Sequence, residues 1–487
     1  MVDELNLEDV YGIAKELGYP CIIPLIKVLK RELSPTDVYA TMREDAKYSF
    51  LLESAEIGEK IARYSFLGHN PEKIIKLKDG DLSINGSRIK FDGNPLAPLR
   101  SILSGYKIHK SKLPKFFGGL LGYFAYDIVR YFEDIGDSSP DDLKQNDAEF
   151  MLVKDLMVFD HWRDEILLIS NLFIDGREDI SDGFKDAQRK IGEMRDIVER
   201  STPQRAPHNE KKVEIKSNFG KGEYEDAVEK AKEHIYAGDI FQVVLSQRFE
   251  CAMRSDPFGV YQKLKEINPS PYMYFLEFDG LKIVGSSPEI LVRVEDGKVI
   301  VRPIAGTRPR GRDIVEDEYL AREMINDPKE RAEHVMLVDL GRNDIGKISN
   351  FGSVEVDEFM AIEKYSHVQH IVSNVVGKLR EGEDAFDALE ATFPAGTVSG
   401  APKVRAMQII EELERSRRGI YAGTVGYYSF DLNMDLAITI RTIVIQDGRA
   451  YVQAGAGIVA DSIPENEYRE CVNKGGGMIR AIELAGG

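Results

Sequence analysis

The sequence predicts an α+β fold, antiparallel sheets with helices packed on them, and three observations lead there. Strand-like runs meet at Asp-Gly turns: KIIKLKDGDLSINGSRIKF (73–91) turns at Asp79-Gly80, VEDGKVIVRPI (294–304) at Asp296-Gly297 and TIVIQDGRAYVQAGAGIV (442–459) at Asp447-Gly448. Two-residue loops of this type match the twist of paired antiparallel strands. Helical periodicity alternates with these hairpins, notably over 316–338 and 401–416. Hairpins interleaved with amphipathic helices bury their apolar faces as stacked layers. The chain has 487 residues, more than one ordinary core accommodates.

Along the chain, residues 1–200 read as a mixed α/β region. FMLVKDLMVFDHWRDEILLIS (150–170) adds two apolar runs around a polar turn. Residues 201–221 carry two prolines, several charges and few apolar groups, the composition of an exposed linker. A helix is expected near Gly222, where Tyr224, Ala227, Val228, Ala231 and Ile235 recur three or four apart. Residues 222–487 form the second region and carry the motifs with chemistry.

Composition excludes several classes. With 64 basic and 82 acidic residues, a net charge of −18 disfavours nucleic acid, whose phosphates need a basic face. Cys21, Cys251 and Cys471 are far apart and form no CxxC pair, which fits a reducing, cytoplasmic setting. The acidic start MVDELNLEDV has no apolar core of a leader peptide. No run approaches the roughly 20 apolar residues that span a bilayer, so no membrane association is expected.

Two segments repeat one arrangement, Glu330-Arg-Ala-Glu333 and Glu467-Tyr-Arg-Glu470. Carboxylates three apart share a helix face, and two such pairs can converge on a hard, oxygen-preferring cation such as Mg²⁺. Such pairs are also common on solvated faces. Gly455-Ala456-Gly457 permits close backbone approach, as a tight strand end also would. Arg441 ends an apolar run and suits either a structural ion pair or a carboxylate anchor. Lys474 lies one helical turn after Glu470, beside Gly475-Gly476-Gly477. Three helical glycines each cost about 1 kcal/mol relative to alanine, so something is expected to approach that backbone closely. Of His367 and His370, one suffices as a general acid near neutral pH.

PIAGTRPRG (303–311), DLGRNDIGKIS (339–349), HVQHIVSNVVGKL (367–379), ATFPAGTVSGAPK (391–403) and the run from Gly423 to Lys474 occur in one order. With LLES (51–54) and GGLLGYFAYD (118–127), they closely resemble the chorismate-utilising enzymes, most of all the anthranilate synthase large subunits. The resemblance implies a two-lobed sandwich of antiparallel sheets flanked by helices. It implies Mg²⁺ on Glu333 and Glu470, with Glu330 and Glu467 as outer partners, and His370 rather than His367 as the acid. Gly306, Thr307, Tyr421, Arg441, Gly455, Ala456, Gly457 and Lys474 match substrate-binding positions, and Thr397 one close to the reacting ring. The glycine triplet departs from the alanine-containing pattern of the family.

Two positions separate the sister reactions. Aminodeoxychorismate synthases resemble this chain but usually read PIKGT, with a lysine nucleophile. Here Ala305 stands in its place and has no nucleophile to offer. Isochorismate-forming relatives usually carry a lysine base where Gln242 stands. Both point to ammonia as nucleophile and anthranilate as product, with aminodeoxychorismate or aminodeoxyisochorismate as the alternative. LLES and NPSPYMYFLEF (268–278) resemble the paired segments of a tryptophan inhibitor site, so Ser54, Pro271, Tyr272 and Met273 are the expected contacts. No cysteine sits in a glutaminase-type elbow, so glutamine use requires a separate amidotransferase subunit.

Overall fold

The computed structural model describes residues 5–54, 63–91, 93–110, 113–365 and 368–487. Among these residues the strands form two large sheets, of thirteen and twelve strands. Pairing is antiparallel except where Lys107–Ile108 runs parallel to Cys21–Lys30. Phe50, Phe66, Leu276 and Ile283 of the first sheet share one buried cluster with Leu120, Phe124, Val425 and Leu436 of the second. The opposite face of the first sheet is closed by helices, with Val38, Tyr261, Leu264, Met478 and Ile482 packed on Leu51, Phe275 and Ile443. The α+β sandwich expected from the sequence is therefore the observed one.

The turns behave as their residues dictate. Asp79 and Gly80 have φ of 47° and 82°, and Asp447 and Gly448 of 50° and 71°, the pair of positive values a type I′ loop requires. The periodic segment at 222 is a helix over Lys221–Ala237, and that at 401–416 is Lys403–Leu413.

Three readings need correction. The segment expected to be helical over 316–338 is two helices, Ile314–Asn326 and Pro328–Gly346. Pro328 holds Asp327 in extended backbone (φ −66°, ψ 119°), and the Asp327 carboxylate caps the next helix through Lys329 N and Glu330 N. The first apolar run of 150–170 is not one strand. Ala148–Val153 belongs to the second sheet and Asp155–Asp160 to the first, so the chain changes sheet at Lys154. The expected linker 201–221 is irregular apart from Lys216–Ser217 and Lys221, which opens the next helix, but it does not part the sheets. Ser49–Glu53 pairs with Tyr272–Phe278, and Gly119–Phe124 with Thr424–Ser429, so each sheet draws strands from both sides of that passage.

Candidate active site

One cavity of about 630 Å³ opens between strands of both sheets and two helices. Its first wall is the strand pair Ile304–Pro309 and Val368–Lys378. Ala305 faces Ile371 and Thr307 faces His370, with a register shift between them. The extra residue is Gly306 at φ 70°, a left-handed conformation that suits glycine. The bulge turns the Gly306 carbonyl toward His370, whose Nδ1 lies 2.9 Å from it and 3.1 Å from Thr307 Oγ1. A carbonyl only accepts, so Nδ1 carries the proton and Nε2 is left for a ligand. Burial lowers the His370 pKa, reinforced by Arg441 and opposed by the Gly306 hydrogen bond. His367 lies outside the described residues.

The helices Pro328–Gly346 and Pro464–Leu484 make the second wall and bring Glu330, Glu333, Glu467 and Glu470 to the same cavity. Glu333 is open to the cavity, yet burial and then the charges of Glu330 and Glu470 raise its pKa. Burial likewise raises that of Glu467. Arg308 Nη1 lies 2.8 Å from Glu330 and Lys474 Nζ 2.6 Å from Glu470. Among the described residues no three His, Cys, Asp or Glu side chains gather as a metal cage. Mg²⁺ keeps several waters and needs only one or two carboxylates. Glu333 and Glu470, held in mutual repulsion, are a donor pair whose chemistry fits that demand.

The third wall is the strand Arg449–Ile458. Gly455 and Gly457 line the cavity, but Ala456 does not. Strand side chains alternate, and Ala456 packs behind the wall with Val243, Leu245 and Cys471. Its side chain therefore faces away from the cavity. A Cβ on Gly455 would fall 2.9 Å from Tyr421 Oη, and one on Gly457 2.7 Å from Gln242 Nε2. The small residues let those side chains reach the cavity. The helical glycines are also clarified. A Cβ on Gly475 would meet Phe249 at 3.2 Å, whereas nothing lies within 4 Å of one on Gly476 or Gly477.

The remaining wall holds Tyr421, Arg441, Thr397 and a residue the sequence reading missed, Glu289. Arg441 has no acidic partner within ion-pair distance among the described residues; burial lowers its pKa, and Tyr421 and Glu470 oppose that. This favours the anchor over the ion pair. Thr397 Oγ1 donates to Glu289 Oε1 at 2.8 Å. Burial pushes the Glu289 carboxyl up to about 7, against the Thr397 hydrogen bond and the charge of Lys474. A carboxyl poised near neutrality in a cavity is a candidate proton carrier. Ala305 and Gln242, the discriminating positions, also line the cavity.

The four expected inhibitor residues are divided. Ser54 lines a separate cleft of about 640 Å³ with Glu53, His161, Lys265 and Pro269, and its buried hydroxyl has no hydrogen-bond partner among the described residues. The register of Met273 opposite Glu53 places Tyr272 beside Ser54. Pro271, Tyr272 and Met273 do not line that cleft. Tyr272 Oη donates to Asp435 at 2.9 Å and accepts from Arg293 at 3.0 Å. No helix among the described residues is long and apolar enough to cross a membrane.

Comparison with known proteins agrees with this geometry. The family model described as chorismate binding enzyme matches residues 47–480. Anthranilate synthase component 1 of Aquifex aeolicus is 48% identical over 490 residues, covering 99% of this chain and 98% of the relative. That of Acetivibrio thermocellus is 48% identical, covering 99% of each chain. The crystal structure of anthranilate synthase component I from Streptococcus pneumoniae superposes with a TM-score of 0.78 at 42% identity, covering 87% of this chain and 94% of that one. The menaquinone-specific isochorismate synthase of Escherichia coli, at 18% identity and a TM-score of 0.72, covers 97% of this chain and 98% of its own and shares the fold. With the family match running through every wall of the cavity, the chain belongs to the chorismate-binding enzymes and is an enzyme acting on chorismate.

Proposed function

We propose that the chain converts chorismate and ammonia to anthranilate, pyruvate and water, the entry step of tryptophan synthesis. The observation that carries this is the cavity itself: carboxylate anchors, an acid and a poised carboxyl stand together, with Ala305 and Gln242 at the positions where the resemblance implies lysines in the sister enzymes. Arg441 offers a planar fork for one carboxylate of the substrate. His370, fixed through Nδ1, gives its Nε2 proton to the departing 4-hydroxyl as ammonia adds at C2. Glu289, ionised above about 7, then takes the C2 proton, the C3–O bond breaks, pyruvate leaves and the ring aromatises. Glu333 and Glu470 would hold Mg²⁺, which supplies charge stabilisation and a template for the ring carboxylate.

The test is fluorescence of the purified chain with chorismate, Mg²⁺ and ammonium at alkaline pH. Anthranilate emission that EDTA abolishes is expected with ammonium, and none with glutamine until an amidotransferase subunit is added. Anthranilate formed from glutamine by the isolated chain would contradict the two-subunit reading. Chorismate consumed without anthranilate would move the product to aminodeoxyisochorismate or aminodeoxychorismate.

Glu289→Gln is expected to lower anthranilate formation about 10²-fold. Because Glu289 must be ionised for the elimination step, the wild-type share of anthranilate over aminated intermediate rises with pH through about 7, and the variant loses that rise while releasing aminated intermediate detectable by mass analysis. An unchanged pH profile would assign the base elsewhere.

We also propose feedback inhibition by tryptophan at the Ser54 cleft, supported by the adjacency of Ser54 and Tyr272 and the unpartnered Ser54 hydroxyl. Ser54→Arg is expected to raise the inhibitory tryptophan concentration at least tenfold without changing uninhibited turnover. Equal inhibition of variant and wild type would sink the assignment.

A further inference from the structure

We propose that the buried ion pair Arg418–Glu414 is a positioning device that sets the back wall of the chorismate cavity. Its side chains are 2% and 4% exposed, and the guanidinium meets the carboxylate through Nη2–Oε1 at 2.6 Å and Nε–Oε2 at 3.0 Å. The other side-chain hydrogen bonds of the pair go to Val398 and Val244 of the cavity wall and to Ser246 behind it. Arg418 Nη1 donates to Val398 O and Nη2 to Val244 O, each at 2.7 Å. Glu414 Oε1 accepts from Ser246 N at 2.8 Å and Ser246 Oγ at 2.9 Å, and Ser246 Oγ accepts from Gln453 Nε2 at 2.8 Å. The guanidinium also sits 5.6 Å from the centre of the Tyr421 ring.

Val244, Val398, Tyr421 and Gln453 all line the cavity, and they come from four separate stretches of chain. Val398 follows Thr397, whose hydroxyl holds Glu289. One charged pair thus reaches four wall segments at once, adding side-chain ties to the pairing of the Val244 and Gln453 strands and to the Val244 N–Ser399 O bond of 2.9 Å. Stability gives little reason for it, because a buried ion pair is often no better than apolar side chains of the same shape. Fixed geometry does give a reason. The rigid guanidinium fork sets several acceptors at once, which a lysine ammonium does not reproduce, and reacting groups must be held to within about 0.5 Å. The inference requires only that the cavity turns over chorismate, whichever product it releases.

The test is chorismate consumption by the full chain with Mg²⁺ and ammonium, expressed per folded molecule from near-ultraviolet circular dichroism. The double variant Arg418→Met/Glu414→Met leaves neither charge unpaired. It is expected to keep the wild-type melting temperature within a few degrees, to lose at least tenfold in kcat and to change KM less than threefold. A folded double variant with wild-type kcat, or a loss accounted for by unfolded protein, overturns the proposal. Should it not fold, Ser246→Ala decides, since it removes one hydroxyl from the path to Gln453. A fivefold or larger fall in kcat at constant KM is then expected, and unchanged kcat overturns the proposal.

Discussion

His370→Ala is expected to lower kcat for chorismate turnover by about 10³-fold, within the range for loss of a positioned general acid, with KM changed only a few-fold. Hydroxide is a poor leaving group, so departure from C4 without a proton raises the barrier of the first chemical step. The structure makes this imidazole difficult to replace. Its Nδ1 is held by the Gly306 carbonyl at 2.9 Å, and that carbonyl is aimed by a bulge at a left-handed glycine. Burial and Arg441 lower the His370 pKa, so the imidazolium is a stronger acid than an ordinary histidine. Its protonated fraction in the empty cavity therefore declines at lower pH than usual. A bound dianion favours the charged ring and restores the acid when it is needed. Two measurements check this: kcat of the folded variant, and its partial recovery by added imidazole, which fits the space the side chain leaves. A variant within fivefold of wild type would remove His370 from the chemistry.

How much of this site the sequence exposes depends on how local each cause is. The hairpin turns are legible because Asp-Gly at Asp79-Gly80 and Asp447-Gly448 meets its φ requirement within two residues. The carboxylate pairs are legible because spacing fixes a helix face. Ala456 was also within reach, since strand alternation alone sends it to the face opposite Gly455 and Gly457. The break at Pro328 carried its own signal, an aspartate followed by proline inside a helical pattern. Glu289 is different. Its raised pKa comes from burial by several elements, against a hydrogen bond from Thr397, which is more than one hundred residues away in sequence. No spacing rule reports such an environment. The change of sheet at Lys154 is hidden for a related reason. Ala148–Val153 and Leu156–Asp160 are buried throughout, so apolar character runs on across the bend.

Glu333→Gln is expected to abolish Mg²⁺-dependent turnover, a fall of about 10³-fold if the carboxylate contributes the several kcal/mol of a metal-held transition state. The same substitution is expected to raise the melting temperature of the metal-free protein. Glu333 faces like charges from Glu330 and Glu470 in a cavity that already penalises its ionisation, so a neutral amide relieves repulsion there. With Mg²⁺ the order reverses. Wild type gains stability in proportion to RT ln(1 + [Mg²⁺]/Kd), while the variant, short of one ligand, gains little. The sign with pH follows from the raised carboxyl. Metal binding requires the ionised form, so wild-type affinity weakens as pH falls toward the Glu333 pKa, and binding releases protons. A carboxylate with only a structural role predicts the opposite pattern, lower stability without metal and an unaltered metal response. Thermal melts of both proteins with Mg²⁺ and with EDTA, beside turnover of each, separate the two.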